Sequence, residues 1–184
     1  MKKLLFLTTM FCLLAISALA QDKKVDYSGN WTLDLSKSKL DERVRIESMT
    51  MNVTQIEKDL KIETTIKRMP PPEVVGGGQG NGIGSGRGGG GGFGRGGFGN
   101  DGITTYSLDG KETKAGEITR KAKVENDGKL KLNSSRSFET PNGAISITTK
   151  DTWSLSADGK TLTVKRDMET PRGTNSSEMV FTKK

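Results

Sequence analysis

Four charged side chains stand where a binding site can form: Arg120, Arg136, Asp151 and Arg166. In the strand pairings derived below they share a face with Ala122, Leu132, Trp153 and Val164. Ionised groups on an apolar face are costly unless they are paired or wet. Asp151 falls opposite Arg166 and can pair with it. Arg120 and Arg136 lie diagonally to one another with no acid assigned to them, and Ser134 and Thr149 lie between. A solid dry core is not built this way, whereas a lined and partly wet cavity is. The competing interpretation is a rim, where guanidinium groups reach water over apolar stems. The chemistry on offer is capture of an anion rather than catalysis. The chain has no His, and its one Cys is Cys12. That excludes Ser-His-Asp and Cys-His nucleophilic sites and ordinary zinc sites. No calcium-loop pattern of alternating Asp is present, and no spacing marks a catalytic carboxylate pair. We therefore expect no enzyme activity and no cofactor.

The elements that hold these residues are strands. Thr, Val and Ile recur throughout, and their branched Cβ favours the pleated conformation. Apolar residues at helical spacing are missing after residue 20. Turn signals recur as Asp-Gly or Asn-Gly pairs, strong short-range hairpin markers. The strands expected are 26–35, 43–56, 59–68, 103–109, 111–124, 129–139, 144–156, 160–169 and 175–183. Short links between them imply an antiparallel up-and-down meander. Closing the meander into a barrel of about eight or nine strands removes exposed edges.

Turn chemistry sets register. A three-residue loop at Asn126-Asp127-Gly128 puts Val124 opposite Leu130, Ala122 opposite Leu132 and Arg120 opposite Ser134. A two-residue turn at Asp158-Gly159 puts Leu155 opposite Leu162, Trp153 opposite Val164 and Asp151 opposite Arg166. Pairing Phe138 with Ile145 puts Arg136 opposite Ile147. A slip of one residue would turn half of these apolar groups to solvent.

Two further segments shape the domain organisation. Lys2 and Lys3 precede an apolar run that ends at Ala18-Leu19-Ala20, and polar Gln21-Asp22-Lys23-Lys24 follows. This is the layout of a signal peptide over residues 1–20, cleaved before Gln21. The run is short for a membrane anchor, so no transmembrane segment is expected in the mature chain. An exported, periplasmic or secreted protein follows, as one domain over 21–184. Its charge would be +5, against +7 for the whole chain, and without cysteine no disulfide staples it. The second segment is a flexible insertion over 70–102. From Gly76 to Gly102, 17 of 27 residues are Gly, too little apolar surface to offset the entropy of ordering. Its Arg-Gly-Gly boxes at Arg87 and Arg95, with Phe93 and Phe98, are similar to RNA-binding segments. Export takes the chain away from RNA, so no nucleic-acid partner is expected, although an envelope component remains a candidate partner.

At the start of the mature chain, Ser28-Gly29-Asn30-Trp31-Thr32-Leu33 carries a Gly-x-Trp on the first strand. It resembles the signature of lipocalin-like, calycin-type barrels. Together with Tyr106-Ser-Leu-Asp-Gly-Lys and Trp153-Ser-Leu-Ser-Ala-Asp-Gly-Lys it resembles exported bacterial members of that group of unassigned role. The resemblance implies that Trp31 crosses the closed end of the barrel under a basic side chain from a late strand, Arg166. The family's second motif, Thr-Asp-Tyr, and its C-terminal helix are missing here.

The expected function is a non-enzymatic exported envelope protein that binds a small amphiphilic or anionic ligand inside a β-barrel. The candidate contacts are Trp31, Arg120, Arg136, Asp151, Trp153 and Arg166. The alternative is a structural or interaction protein with a filled barrel, acting through its Gly-rich loop.

Overall fold

The computed structural model describes residues 25–41, 44–70, 101–140 and 143–184. The expected signal peptide and residues 71–100 of the Gly-rich insertion lie outside the described residues. Ten strands follow in order: β1 Gly29–Leu33, β2 Ile46–Ile56, β3 Asp59–Arg68, β4 Gly102–Ser107, β5 Asp109–Ala115, β6 Ile118–Val124, β7 Leu130–Thr140, β8 Gly143–Leu155, β9 Thr161–Thr170 and β10 Gly173–Lys183. All pair antiparallel in one sheet, ordered β4-β3-β2-β1-β10-β9-β8-β7-β6-β5. β4 runs through Leu108 into β5, at the opposite end of that order, and lies against β5 and β6. The sheet thereby curls into a nearly closed barrel.

The hairpin registers agree with turn chemistry. Val124 pairs with Leu130, Ala122 with Leu132 and Arg120 with Ser134. Arg136 pairs with Ile147 and Phe138 with Ile145. Asp151 pairs with Arg166, Trp153 with Val164 and Leu155 with Leu162. Two local features differ from expectation. The stretch 111–124 is two strands, β5 and β6, with Ala115 opposite Ile118 and Gly116 (φ 61°) at the first turn position. The link around Asp158-Gly159 is a four-residue loop closed by Ser156 N–H to Thr161 O at 2.9 Å. Gly159 takes positive φ there, and Asp158 does not. Asp158 instead accepts the Ser156 hydroxyl (2.5 Å) and the Lys160 N–H (3.0 Å), which stabilises the wider loop. A loop two residues longer around the same centre leaves the strand register intact.

Alternation builds the interior. In β2, Met49, Met51 and Val53 are buried while Thr50, Asn52 and Thr54 face solvent. A bulge between Ile46 and Ser48 lets Ile46 point inward as well, despite its odd spacing from Met49. The inner face is tiered. One tier runs Val124, Leu130, Trp153, Val164 and Met179 across β6 to β10, and Leu155, Leu162, Phe181 and Leu33 lie below it. Residues 25–28 and Trp31 stopper this lower end. The Tyr27 ring meets Trp153 edge-on, with centroids 6.0 Å apart. Its hydroxyl accepts the Leu130 N–H (3.1 Å) and shares its proton between Gly128 O (2.8 Å) and Trp153 O (3.0 Å). Gln55 ties down the segment through Tyr27 N–H and Val25 O.

Candidate functional site

Above the packed tier the next one reads Ala122, Leu132, Asp151, Arg166 and Ser177, and the one above it Arg120, Ser134, Thr149, Met168 and Asn175. Polar residues thus enter the inner face at mid-barrel. They border a partly open cavity of about 220 Å³. Arg120, Asp151, Arg166, Ser134 and Thr149 form its polar wall, and Met49, Met51 and Ile62 of β2 and β3 its apolar wall. Trp153 and Leu132 are its floor, since Trp153 belongs to the buried tier below.

Asp151 is the one buried charged residue among the described core, 6% exposed. Arg166 holds it by two parallel hydrogen bonds, Nε to Oδ1 at 2.7 Å and Nη2 to Oδ2 at 2.6 Å. Burial works against the Arg166 charge, but the Asp151 carboxylate more than offsets it and raises the guanidinium pKa. Both carboxylate oxygens are occupied, so this pair is internally neutralised.

Tyr106 of β4 lines the same cavity. Burial, and secondarily the Asp151 charge, push its phenol up to about 12, against the opposing pull of Arg166 and Arg120. At neutral pH it is a protonated group able to donate. Arg120, half-buried in the cavity wall, has no carboxylate within ion-pair distance among the described residues. The site therefore combines a satisfied ion pair, an unspent cation, a neutral phenol and an apolar wall, which suits an anion with a short apolar part.

The expected site residues separate. Arg120, Asp151, Trp153 and Arg166 come together at the cavity. Arg136 does not line it. It is exposed at the upper end of β7 and meets Glu117 at 3.3 Å, an acid supplied by the β5–β6 turn. Trp31 lies below the cavity, wholly buried, with its indole N–H donated to Tyr27 O at 3.0 Å. The basic group over its ring is Lys183 of β10, Nζ 5.2 Å from the centroid, and not Arg166, which Asp151 engages one strand away. That placement comes from the β1–β10 pairing of Trp31 with Lys183. Tyr106, Thr64 and Thr104 are cavity residues that the hairpin argument on β6 to β9 did not reach. Inward alternation from Leu60 opposite Tyr106 is the signal that finds them. Among the described residues, no three Asp or Glu gather into a cluster able to hold a metal ion, and no helix is long and apolar enough to cross a membrane. Compared with known proteins, the chain matches no family model and no curated sequence.

Proposed function

We propose that this is a non-enzymatic, exported envelope protein that holds a small anionic or amphiphilic ligand in its barrel, with Arg120 as the anion contact. The observation that carries this reading is the contrast between two arginines in one cavity wall. Arg166 is neutralised by Asp151, whereas Arg120 has no carboxylate within ion-pair distance among the described residues. A cation left facing a partly enclosed cavity gains more from an anionic ligand than it would in open solvent, because screening there is weaker. The neutral Tyr106 phenol adds a donor. The cavity itself favours this reading over a filled barrel. The resemblance to calycin-type barrels accords with it, since Trp31 lies at the closed end under a late-strand cation, Lys183.

Native mass spectrometry after mild purification, followed by calorimetric titration with what is released, tests the reading. Arg120→Ala is expected to weaken binding about tenfold or more, the loss of one charge-assisted hydrogen bond. Arg136→Ala should leave binding unchanged. Retention of nothing by the native protein, or equal binding by Arg120→Ala, overturns the proposal.

A further inference from the structure

Sheet order makes β5 an end strand, paired with β6 along one side only. Ala115 stands opposite Ile118 across the two-residue turn Gly116-Glu117, and Thr113 stands opposite Arg120. In an antiparallel ladder closed by such a turn, these pairs exchange both hydrogen bonds, and the residues between them turn N–H and C=O the other way. Glu112 and Lys114 therefore present their backbone donors and acceptors off the edge of the sheet. Among the described residues no group bonds them there, and neither side chain forms an ion pair. From Lys111 to Ala115 every side chain is exposed, on both faces of the strand. An uncovered edge of this kind is a template for another strand.

Charge decides which strand fits. Residues whose backbone points off the edge must meet residues that do the same, so a second β5 can pair antiparallel about Glu112, Thr113 or Lys114. Centring on Glu112 sets that acid against its own copy, and centring on Lys114 does the same for the lysine. Like charges directly opposite are unfavourable. Centring on Thr113 sets Glu112 against Lys114 of the second copy, and Lys114 against its Glu112, so both side-chain pairs are attractive and every outward backbone group finds a partner. We propose that a second copy of this chain docks on β5 in this register, joining two barrels edge to edge about a two-fold axis at Thr113. The contact is isologous, with the same patch used by both copies. The bulge between Asp109 and Glu112 ends the regular edge and keeps the contact short. Such a contact belongs to the weak interfaces, below about 1,200 Å². The dissociation constant expected is on the order of 0.1–1 mM, rising with salt. Neither Glu112 nor Lys114 lines the cavity, so this contact is independent of the Arg120 reading.

A charge swap tests it, read by sedimentation over a concentration series and by amide hydrogen exchange. Glu112→Lys alone and Lys114→Glu alone each set like charges opposite in the paired state, and each should weaken self-association about tenfold or more. An equimolar mixture of those two variants should associate again, because each then meets the opposite charge, and so should the double variant carrying both substitutions in one chain. In the native protein the Glu112 and Lys114 amides should gain protection as concentration rises. The Thr113 and Ala115 amides, bonded to β6, should be protected throughout and in every variant, which also reports that β5 is still in place. A native protein that stays monomeric up to about 1 mM, the range of weak contacts, overturns the proposal. Self-association that both single variants keep places the contact elsewhere and overturns it too. Association lost in both and not recovered in their mixture rules out the Thr113 register. Protection of the Glu112 and Lys114 amides in the dilute monomer would mean that the edge is covered from within the chain, and the second copy falls.

Discussion

Asp151 and Arg166 face each other across β8 and β9, joined by hydrogen bonds of 2.7 and 2.6 Å, with side chains only 7% and 17% exposed. Removing one partner of such a pair leaves an uncompensated charge in a poorly solvated place, which is costlier than removing both. Arg166→Met should therefore destabilise the fold by about 3 kcal/mol, and Asp151→Leu by a similar amount. The double substitution Asp151→Leu with Arg166→Met should cost less than that, or nothing. Urea unfolding of the two singles and the double, read as a double-mutant cycle, checks it. Additive losses would mean that the two charges act independently.

The two tyrosines predict alkaline behaviour. Burial first, then the neighbouring Asp127 charge, raises the Tyr27 pKa to about 12 against the hydrogen bond from Leu130; Tyr106 is also raised to about 12. An unfolded tyrosine ionises near pH 10. Between about pH 10 and 12 the unfolded chain binds fewer protons than the native one, so stability falls as pH rises. Below pH 10 the stabilisation is fully present. Absorbance at 295 nm should stay flat through pH 10 in the native protein and rise only as unfolding or pH near 12 exposes the phenolates. A midpoint near 10 with the fold intact would show that the phenols are solvated.

The two tryptophans should respond unequally to Phe. The Trp31 indole N–H bonds Tyr27 O, and Lys183 covers its ring. The Trp153 indole N–H is buried with no hydrogen-bond partner among the described residues. Trp31→Phe strands a buried carbonyl and weakens a cation–π contact, whereas Trp153→Phe removes an unsatisfied donor. Trp31→Phe should be the more destabilising by about 1–2 kcal/mol. Thermal or urea unfolding of both gives the answer, and a larger cost at Trp153 would contradict it.

Local pairings were legible in the sequence because a turn lies beside them. Asp127-Gly128 and Asp158-Gly159 each centre a hairpin whose apolar residues coincide in one register, and that alone brought Asp151 to Arg166. The break at Gly116 was hidden because β5 is exposed almost throughout. Lys111-Glu112-Thr113-Lys114 has no apolar alternation whose phase could shift at the turn. Pairings between distant segments carried no such mark. The β1–β10 pairing joins the two ends of the barrel with no turn to set it, so Lys183 over Trp31 could not be told from Arg166. The β3–β4 register, which brings Tyr106 into the cavity, is separated by the long Gly-rich stretch. The pairing of Arg136 with Ile147 was legible, but Arg136 stands exposed at the upper end of the barrel, and its partner Glu117 lies on the β5–β6 turn, through which the sequence alone draws a single strand.

Gly29 explains why the Gly-x-Trp pattern needs its glycine here. Its φ is +144°, a conformation that L side chains rarely adopt, and a Cβ placed on it would lie 2.4 Å from Cε of Lys183. The same lysine covers Trp31. Gly29→Ala should therefore impose two separable costs, backbone strain of about 1–3 kcal/mol and displacement of the Lys183 stem. Lys183→Ala alone should cost about 0.5–1 kcal/mol, the loss of a cation over the indole. In the double variant the clash is gone and the strain remains, so Gly29→Ala should be less damaging in the Lys183→Ala background than in the native one. Chemical unfolding of the three variants measures this. Equal effects of Gly29→Ala in both backgrounds would mean that the lysine moves aside freely and that backbone conformation alone demands the glycine.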